Sequence, residues 1–289
     1  MAILKEIRNR VGAIKSIQKI TSAMKMIAAA KLRKAQDMIL SARPFAFKLD
    51  ELFEHIIALA EDSNDELLKE REVKSQLIIV VTSDRGLAGA FNTNILRYAE
   101  KLISEAQNDI HLITIGKKSS DYFKKHKYNI IEHYVGIFDN LNFELSSEIV
   151  QKVVEGYLEH KYDKVQIIYN EFKSIIKQNI ICKTFLPFEL SVEEKDNQPL
   201  VEIDYIYEPG LKEILNYLIP RQLDIQFWKI LLESNAAEQG ARMTAMETAT
   251  NNANDLIKEL NIAFNRARQD AITTELIEIV GGAEALQGD

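Results

Sequence analysis

The feature that most constrains the fold is a pair of long, glycine-poor heptad patterns, one near each end of the chain. In the first, between residues 3 and 57, small or apolar residues recur every three or four positions. This spacing predicts one long helix that must find a partner helix along its seam. The N-terminal seam positions are Ile7, Val11, Ile14, Ile17, Thr21, Met24, Ala28, Leu32, Ala35, Met38 or Ile39, Ala42, Phe45, Leu49, Leu52 or Phe53, and Ile56.

The second pattern covers residues 211–286 and predicts a helix about 110 Å long at ~1.5 Å per residue. Its seam positions are Gln239, Met243, Met246, Thr250, Ala253, Ile257, Leu260, Phe264, Ala267, Ala271 and Thr274. The small residues of the two seams, Ala28 and Ala35 on one and Ala253, Ala267 and Ala271 on the other, suit each other, and we predict an antiparallel coiled coil closed by the segment between them. We expect Pro44 and Pro220 to bend or interrupt their helices.

The residues between the two patterns alternate between strand-like and helix-like segments. Short β-branched runs predict strands at 77–81, 111–116, 164–172 and 179–188. Helical periodicity predicts helices at 92–107, 117–126 and 143–160. This alternation is typical of a Rossmann-like α/β domain with helices on the faces of its sheet. The predicted domains are the N-terminal coiled-coil helix (1–57), the α/β domain (58–207) and the C-terminal coiled-coil helix (208–289).

Charge is distributed unevenly along the chain. Residues 1–36 hold nine Lys or Arg side chains and one acid, a formal charge of +8. The remainder carries 27 basic and 42 acidic residues, or −15. A basic arm on an acidic body predicts an acidic protein partner, a membrane surface or a nucleic acid for that arm. We expect no membrane insertion, since the longest aliphatic run (77–81) is much too short to span a bilayer.

Motifs that would indicate catalysis or cofactor binding are missing from the sequence. The segment TSDRGLAGAF (82–91) follows a strand and precedes a helix, but it matches neither of the common glycine-rich phosphate-binding motifs. The histidines are scattered, without metal-ligand spacing. Cys182 is the only cysteine, so an internal disulfide is impossible and a reducing compartment is the simple interpretation. We therefore expect no catalytic residues, cofactor or metal.

The basic arm leaves three hypotheses open. A nucleic-acid helix would present Arg, Asn or Gln to bases, or aromatic side chains to single strands, whereas this arm offers Met and Ala. A membrane-surface helix would need a bulkier apolar face. A coiled-coil strand whose outer face contacts acidic protein surfaces fits best. The rivals to a structural protein remain a nucleotide-binding α/β enzyme with helical arms and a coiled-coil nucleic-acid binder.

Four segments resemble one known family. KEIRNRVGAIKSIQKITSAMKMIAAAKLRKAQ, TSDRGLAGAFNTNI, ARMTAMETATNNANDLIKEL and FNRARQDAITTELIEIVGGAEAL are similar to signatures of the gamma subunit of F-type ATP synthases. Their order and spacing agree with the family over essentially the whole chain. The resemblance implies a non-catalytic central rotor shaft, peripheral to the cytoplasmic face of the inner (plasma) membrane.

The resemblance also implies partners and contact residues. The shaft would stand inside a ring of three alpha and three beta subunits, with its foot against the epsilon subunit and the c-subunit ring, and with no nucleic-acid partner. The residues matching beta-subunit contacts are Met24, Lys25, Lys31, Arg33, Arg268, Gln269, Thr273 and Glu275. Those matching the foot near the c ring are Tyr205, Tyr207 and Glu208.

Overall fold

A computed structural model describes residues 2–58, 66–188 and 210–287. Its helices are α1 (Ala2–Ala58), α2 (Phe91–Glu105), α3 (Lys117–Lys125), α4 (Phe143–Leu158) and α5 (Leu211–Gln287), with a short 3-10 helix at Ile137–Asp139. Its strands are β1 (Ser75–Val81), β2 (Asp109–Ile115), β3 (Ile130–Tyr134), β4 (Lys164–Phe172) and β5 (Gln178–Leu186). The chain forms two compact units, one of Met1–Ala28 with Arg242–Asp289 and the other of Ala29–Ala241.

The larger unit is built around a five-stranded sheet in the order β3-β2-β1-β4-β5. The first four strands are parallel, and β5 pairs antiparallel with β4. The predicted α/β architecture is therefore confirmed. Sequence patterns had not predicted β3, whose side chains alternate between half-buried and exposed. As a short strand at the sheet edge, it lacks the continuous apolar run that identifies β1 and β2.

Both faces of the sheet are covered, which explains why residues 77–81 of β1 are all aliphatic. Successive side chains of a strand point to opposite faces. Leu77, Ile79 and Val81 enter a core completed by α4 and the first turns of α5, whereas Ile78 and Val80 enter a core completed by α2 and α3. The α5 residues in the first core are Leu215, Leu218, Ile219, Leu223, Phe227, Ile230 and Leu231. The beginning of α5 is thus part of the α/β core.

The smaller unit is an antiparallel pair formed by the first half of α1 and the second half of α5. Thr21 contacts Thr250, and the Arg8 guanidinium lies 5.7 Å from the centre of the Phe264 ring, so positions along α1 run opposite to those along α5. On α1 the less exposed positions are Ile7, Val11, Ile14, Gln18, Thr21, Met24, Lys25 and Ala28. On α5 they include Met246, Thr250, Ala253, Ile257, Leu260, Phe264, Ala267 and Ala271. Within this unit, most of the predicted seam positions are therefore where the heptad pattern placed them, whereas the side chains predicted at Ala42, Phe45, Phe53 and Ile56 lie outside the described part of the chain.

Two predicted seam positions are wrong. Ile17 is 53% exposed, and the half-buried neighbour is Gln18. The seam takes a four-residue step from Ile14, and a three-residue step to Ile17 points away from the partner helix. Thr274 is also exposed.

The predicted interruptions at Pro44 and Pro220 do not occur, since each proline lies inside a continuous helix. Both prolines are on the exposed side. A proline removes one backbone hydrogen bond, and on this side water can solvate the carbonyl group that is left without a donor.

Candidate functional site

The loop after β1 is where an α/β fold of this topology would bind a phosphate, because it lies at the carboxyl end of the sheet before a helix. Its polar groups bind other parts of the same unit. The Asp84 carboxylate accepts the backbone N–H groups of Lys117 at 3.0 Å and Gly136 at 2.9 Å. The Ser83 N–H and hydroxyl both donate to the Asn92 side chain at 3.0 Å. This loop is thus organised as an internal brace.

Apolar packing surrounds the junction between that loop and α2. Ala88 in the loop and Phe91, the first residue of α2, pack with Ala237 of α5 and with Phe172 at the end of β4. In a nucleotide-binding domain, the corresponding helix N-terminus faces the ligand phosphate. The packing of α5 against this position favours the structural interpretation over the nucleotide-binding one.

Two neighbouring acidic groups with raised pKa values lie between α5 and the sheet. Burial raises the pKa of the Glu233 carboxyl, and burial also raises the pKa of Tyr169, which is hydrogen-bonded to Glu233. Shifted pairs of this kind can mark acid–base sites. Here Lys229, Glu171, Lys173 and Lys183 surround the carboxyl, as in a structural ion-pair network.

The described residues offer little support for metal binding or for redox chemistry in this chain. Within them, His, Cys, Asp and Glu side chains form no cluster suited to a metal ion. Burial raises the pKa of the half-buried Cys182 thiol, which makes the reactive thiolate scarcer.

Two of the cationic residues predicted to contact partners are paired inside this chain. The Lys25 ammonium lies 2.5 Å from the Glu247 carboxylate, and the two side chains are 38% and 47% exposed. Lys31 lies 3.9 Å from Asp139, which also binds Arg85 at 3.3 Å. The arm itself contains almost no acidic residues. In the structure, acids from α5 and from the short 3-10 helix pair with two of its cations. Sequence patterns missed these partners because they lie far away along the chain.

The remaining predicted residues of α1 lie on its outer surface or beside it. Arg33 is exposed, as are Lys19 and Lys34, whereas Met24 is half-buried. Large apolar side chains are interspersed with these cations on α1: Ile20, Met26 and Ile27 are between 59% and 69% exposed. A helix surface that exposes both cations and large apolar groups is typical of a protein-binding face.

The four predicted contact residues on α5 are all exposed. Arg268 and Gln269 are followed one turn later by Thr273 and Glu275, and the Thr273 hydroxyl donates to the Gln269 carbonyl at 2.9 Å. Exposed apolar residues continue toward the end of the helix: Ile272, Leu276, Ile277, Ile279 and Val280. The predicted foot residues Tyr205, Tyr207 and Glu208 lie outside the described residues.

Comparison with known proteins assigns the whole chain to a family. A family model described as ATP synthase matches residues 3–286. The ATP synthase gamma chain of Chloroherpeton thalassium is 48% identical over 301 residues, an alignment that covers 99% of both chains. This chain belongs to the ATP synthase gamma chain family. The gamma chain of Cytophaga hutchinsonii is also 48% identical, over 293 residues and 99% of both chains.

Solved structures agree with this membership. A chain from the central stalk and c-ring structure of Tetrahymena thermophila mitochondrial ATP synthase is 28% identical, with a TM-score of 0.60. That match covers 80% of this chain and 99% of the other. A chain of the Euglena gracilis mitochondrial ATP synthase, 18% identical with a TM-score of 0.69, covers 99% of this chain and 95% of its own and shows the same fold. Among the described residues of this gamma-family chain, no helix combines the length and apolarity needed to cross a membrane.

Proposed function

We propose that this chain is the central rotor shaft of a bacterial-type F-type ATP synthase. The observation that carries the proposal is the near-complete alignment with ATP synthase gamma chains at 48% identity. The named Tetrahymena structure, a central stalk with its c ring, supports the same role. The shaft is a non-catalytic subunit that sits at the cytoplasmic face of the membrane through its partners.

The exposed faces of the paired helices support a position inside a ring of other subunits. Cations at Arg33 and Lys34 and apolar groups at Met26 and Ile27 remain at the surface of α1. Exposed ion pairs with acidic beta-subunit loops are weak, about 0–1 kcal/mol each, which suits a contact that must slide. The apolar end of α5 (272–280) suits a bearing formed by the alpha and beta subunits.

In the proposed mechanism, ion flow turns the c ring, and the ring turns the shaft through its foot. The two helices present different side chains in different directions, so each beta subunit meets a different surface as the shaft rotates. A beta subunit changes its affinity for ADP, phosphate and ATP when the shaft contacts its conformations differently. Tyr205, Tyr207 and Glu208 are proposed to lie at the foot, near the c ring and the epsilon subunit.

Native mass spectrometry of this chain co-expressed with alpha and beta subunits from the same source tests the assembly. We expect one copy per three alpha and three beta subunits. Equal numbers of all subunits, or a free chain beside an intact alpha–beta complex, would contradict the proposal.

The contact role of Arg268 and Gln269 yields a separate prediction. Arg268→Ala or Gln269→Ala should lower ATP turnover of the assembled complex by about tenfold, the cost of losing a hydrogen bond that involves a charged group. Assembly should persist, because both side chains are exposed and lie off the seam.

The matched control is Arg266→Ala. Arg266 is also exposed on α5 but lies about 200° around the helix from Arg268. ATP turnover of the complex with Arg266→Ala should stay close to the wild-type rate. If the Arg268 and Gln269 variants turned over ATP at the wild-type rate, their assignment to the beta-subunit contact would be wrong.

A further inference from the structure

One layer of the coiled-coil seam is polar. Thr21 is 9% exposed, and its hydroxyl oxygen lies 2.8 Å from that of Thr250 on the opposite helix. The Thr250 hydroxyl donates to the Met246 carbonyl at 2.7 Å, which leaves its lone pairs free to accept from Thr21. The nearly buried Thr21 hydroxyl therefore has two acceptors within reach, the Thr250 oxygen across the interface at 2.8 Å and the Gln18 carbonyl of its own helix at 3.1 Å.

An ion pair lies one turn from this hydrogen bond. Lys25 follows Thr21 by four residues on α1, and Glu247 precedes Thr250 by three on α5, so both contacts join the same turns of the two helices. The Lys25 ammonium donates a charge-assisted hydrogen bond to the Glu247 carboxylate at 2.5 Å. Both side chains are partly exposed, so the ion pair lies at the border of the seam.

The rest of the seam determines the alignment of the helices only weakly. Its nearest buried positions are Ala28, Ala253 and Met246. The two alanines are small and can face one another in several alignments, and the flexible Met246 side chain adapts to different surroundings. A slip of one heptad, about 10 Å, would bring Thr21 opposite Ile257 and Thr250 opposite Ala28. Both hydroxyl groups would then face apolar side chains and keep only the carbonyl groups of their own helices, Gln18 and Met246, and Lys25 would lose its carboxylate. Polar groups in a seam commonly specify register through this penalty.

We propose that Thr21, Thr250, Lys25 and Glu247 form a register lock that fixes the axial alignment of α1 and α5. In this proposal Lys25 is a positioning residue within the shaft, and its charge is not available to a beta-subunit loop as the family resemblance implies. A lock of this kind would prevent the two helices from sliding past each other under load, a consequence that rests on the proposed shaft function.

Disulfide trapping tests the register without any other subunit. Ile7→Cys and Phe264→Cys, in a Cys182→Ser background, place thiols at two less exposed seam positions, each two heptads from the facing pair Thr21 and Thr250. A one-heptad slip would separate them beyond disulfide reach, because bridged Cα atoms lie within about 7 Å. The rate of disulfide formation in the full chain therefore reports the native register.

Charge-reversal variants test the ion pair between Lys25 and Glu247. Lys25→Glu alone, or Glu247→Lys alone, puts like charges side by side and should slow trapping by about fivefold. The double reversal restores an ion pair and should recover the original rate. Lys15→Glu, at an exposed position of α1 away from the seam, is the control and should trap at the original rate. Single variants with unchanged trapping, or a double variant no better than either single, would overturn the lock.

The threonines are tested by Thr21→Val combined with Thr250→Val, which keeps side-chain volume and removes both hydroxyl groups. Helix content measured by circular dichroism should persist while trapping slows. Unchanged trapping would remove the hydroxyl pair from the proposal.

ATP turnover of the assembled complex separates this inference from the beta-contact hypothesis. If Lys25 acts within the shaft, adding Glu247→Lys should restore the ATP turnover that Lys25→Glu lowers. If Lys25 instead binds a beta subunit, turnover of Lys25→Glu would stay low with or without Glu247→Lys, and the positioning role would be rejected. Failure of the chain to assemble at all would contradict the proposed function while leaving the trapping result valid.

Discussion

Replacing Gly116 by alanine is expected to destabilise the α/β domain by about 3–5 kcal/mol. Gly116 connects β2 to α3 with φ +92° and ψ 146°, a conformation that is open essentially to glycine alone. A Cβ atom there would collide with the backbone carbonyl of Thr82. That carbonyl cannot easily move away, since Thr82 is buried and its N–H donates to Ile115 at 2.8 Å.

Urea unfolding of the full chain, followed by the fluorescence of its single tryptophan, measures the effect. Trp228 stacks edge-on against Phe143 of α4, so it reports the packing of α5 on the α/β domain. Gly136→Ala is the matched control. Gly136 also has a positive φ, +82°, but a Cβ there would meet nothing within 4 Å. The control should lose only about 1 kcal/mol. Equal midpoints for the two variants would show that the collision with Thr82 is not important.

Phe227→Ala is expected to cost a similar amount, about 3–5 kcal/mol. The Phe227 ring on α5 is fully buried and packs against Phe185 of β5, with ring centres 5.9 Å apart. Removing it leaves a cavity between the helix and the sheet, where the surrounding side chains can relax only partly. The variant would show that the first turns of α5 are an integral part of the α/β core.

The comparison for this variant is Tyr217→Ala on the same helix. The Tyr217 side chain is 74% exposed, so its removal should change the free energy of unfolding by no more than about 0.5 kcal/mol. The same urea unfolding experiment measures both variants. If Phe227→Ala unfolded at the midpoint of Tyr217→Ala, α5 would not be packed against the sheet as described.

The elements that the sequence predicts well are those whose burial is set by local periodicity. The predicted strands at 77–81, 111–116, 164–172 and 179–188 and the two terminal helices all occur. β3 was missed because an edge strand with one polar face has no strong pattern of its own. Of the bend or interruption expected at Pro44 and Pro220, the interruption is wrong, because a continuous helix accommodates both prolines on its exposed side.

Less of the candidate site could be predicted from the sequence. The heptad pattern correctly placed Thr21 and Thr250 on the seam, but it did not predict that they face each other. Lys25 and Glu247 are 222 residues apart, so their pairing depends on the register of two helices and not on local sequence. Surface positions such as Arg268 carry no periodic signal that distinguishes a partner contact from an ordinary solvated side chain. Their proposed roles rest on the family resemblance.

The central claim, that this chain is a rotor, is tested most directly by observing its rotation in single complexes. Lys124, exposed on α3, can be replaced by cysteine in a Cys182→Ser background to attach a bead. The complex with alpha and beta subunits is then fixed to a surface through its beta subunits, and ATP is added. We expect the bead to rotate continuously in one direction and to stop when ATP is removed. A bead that stayed fixed while the same complex hydrolysed ATP at its normal rate would contradict it.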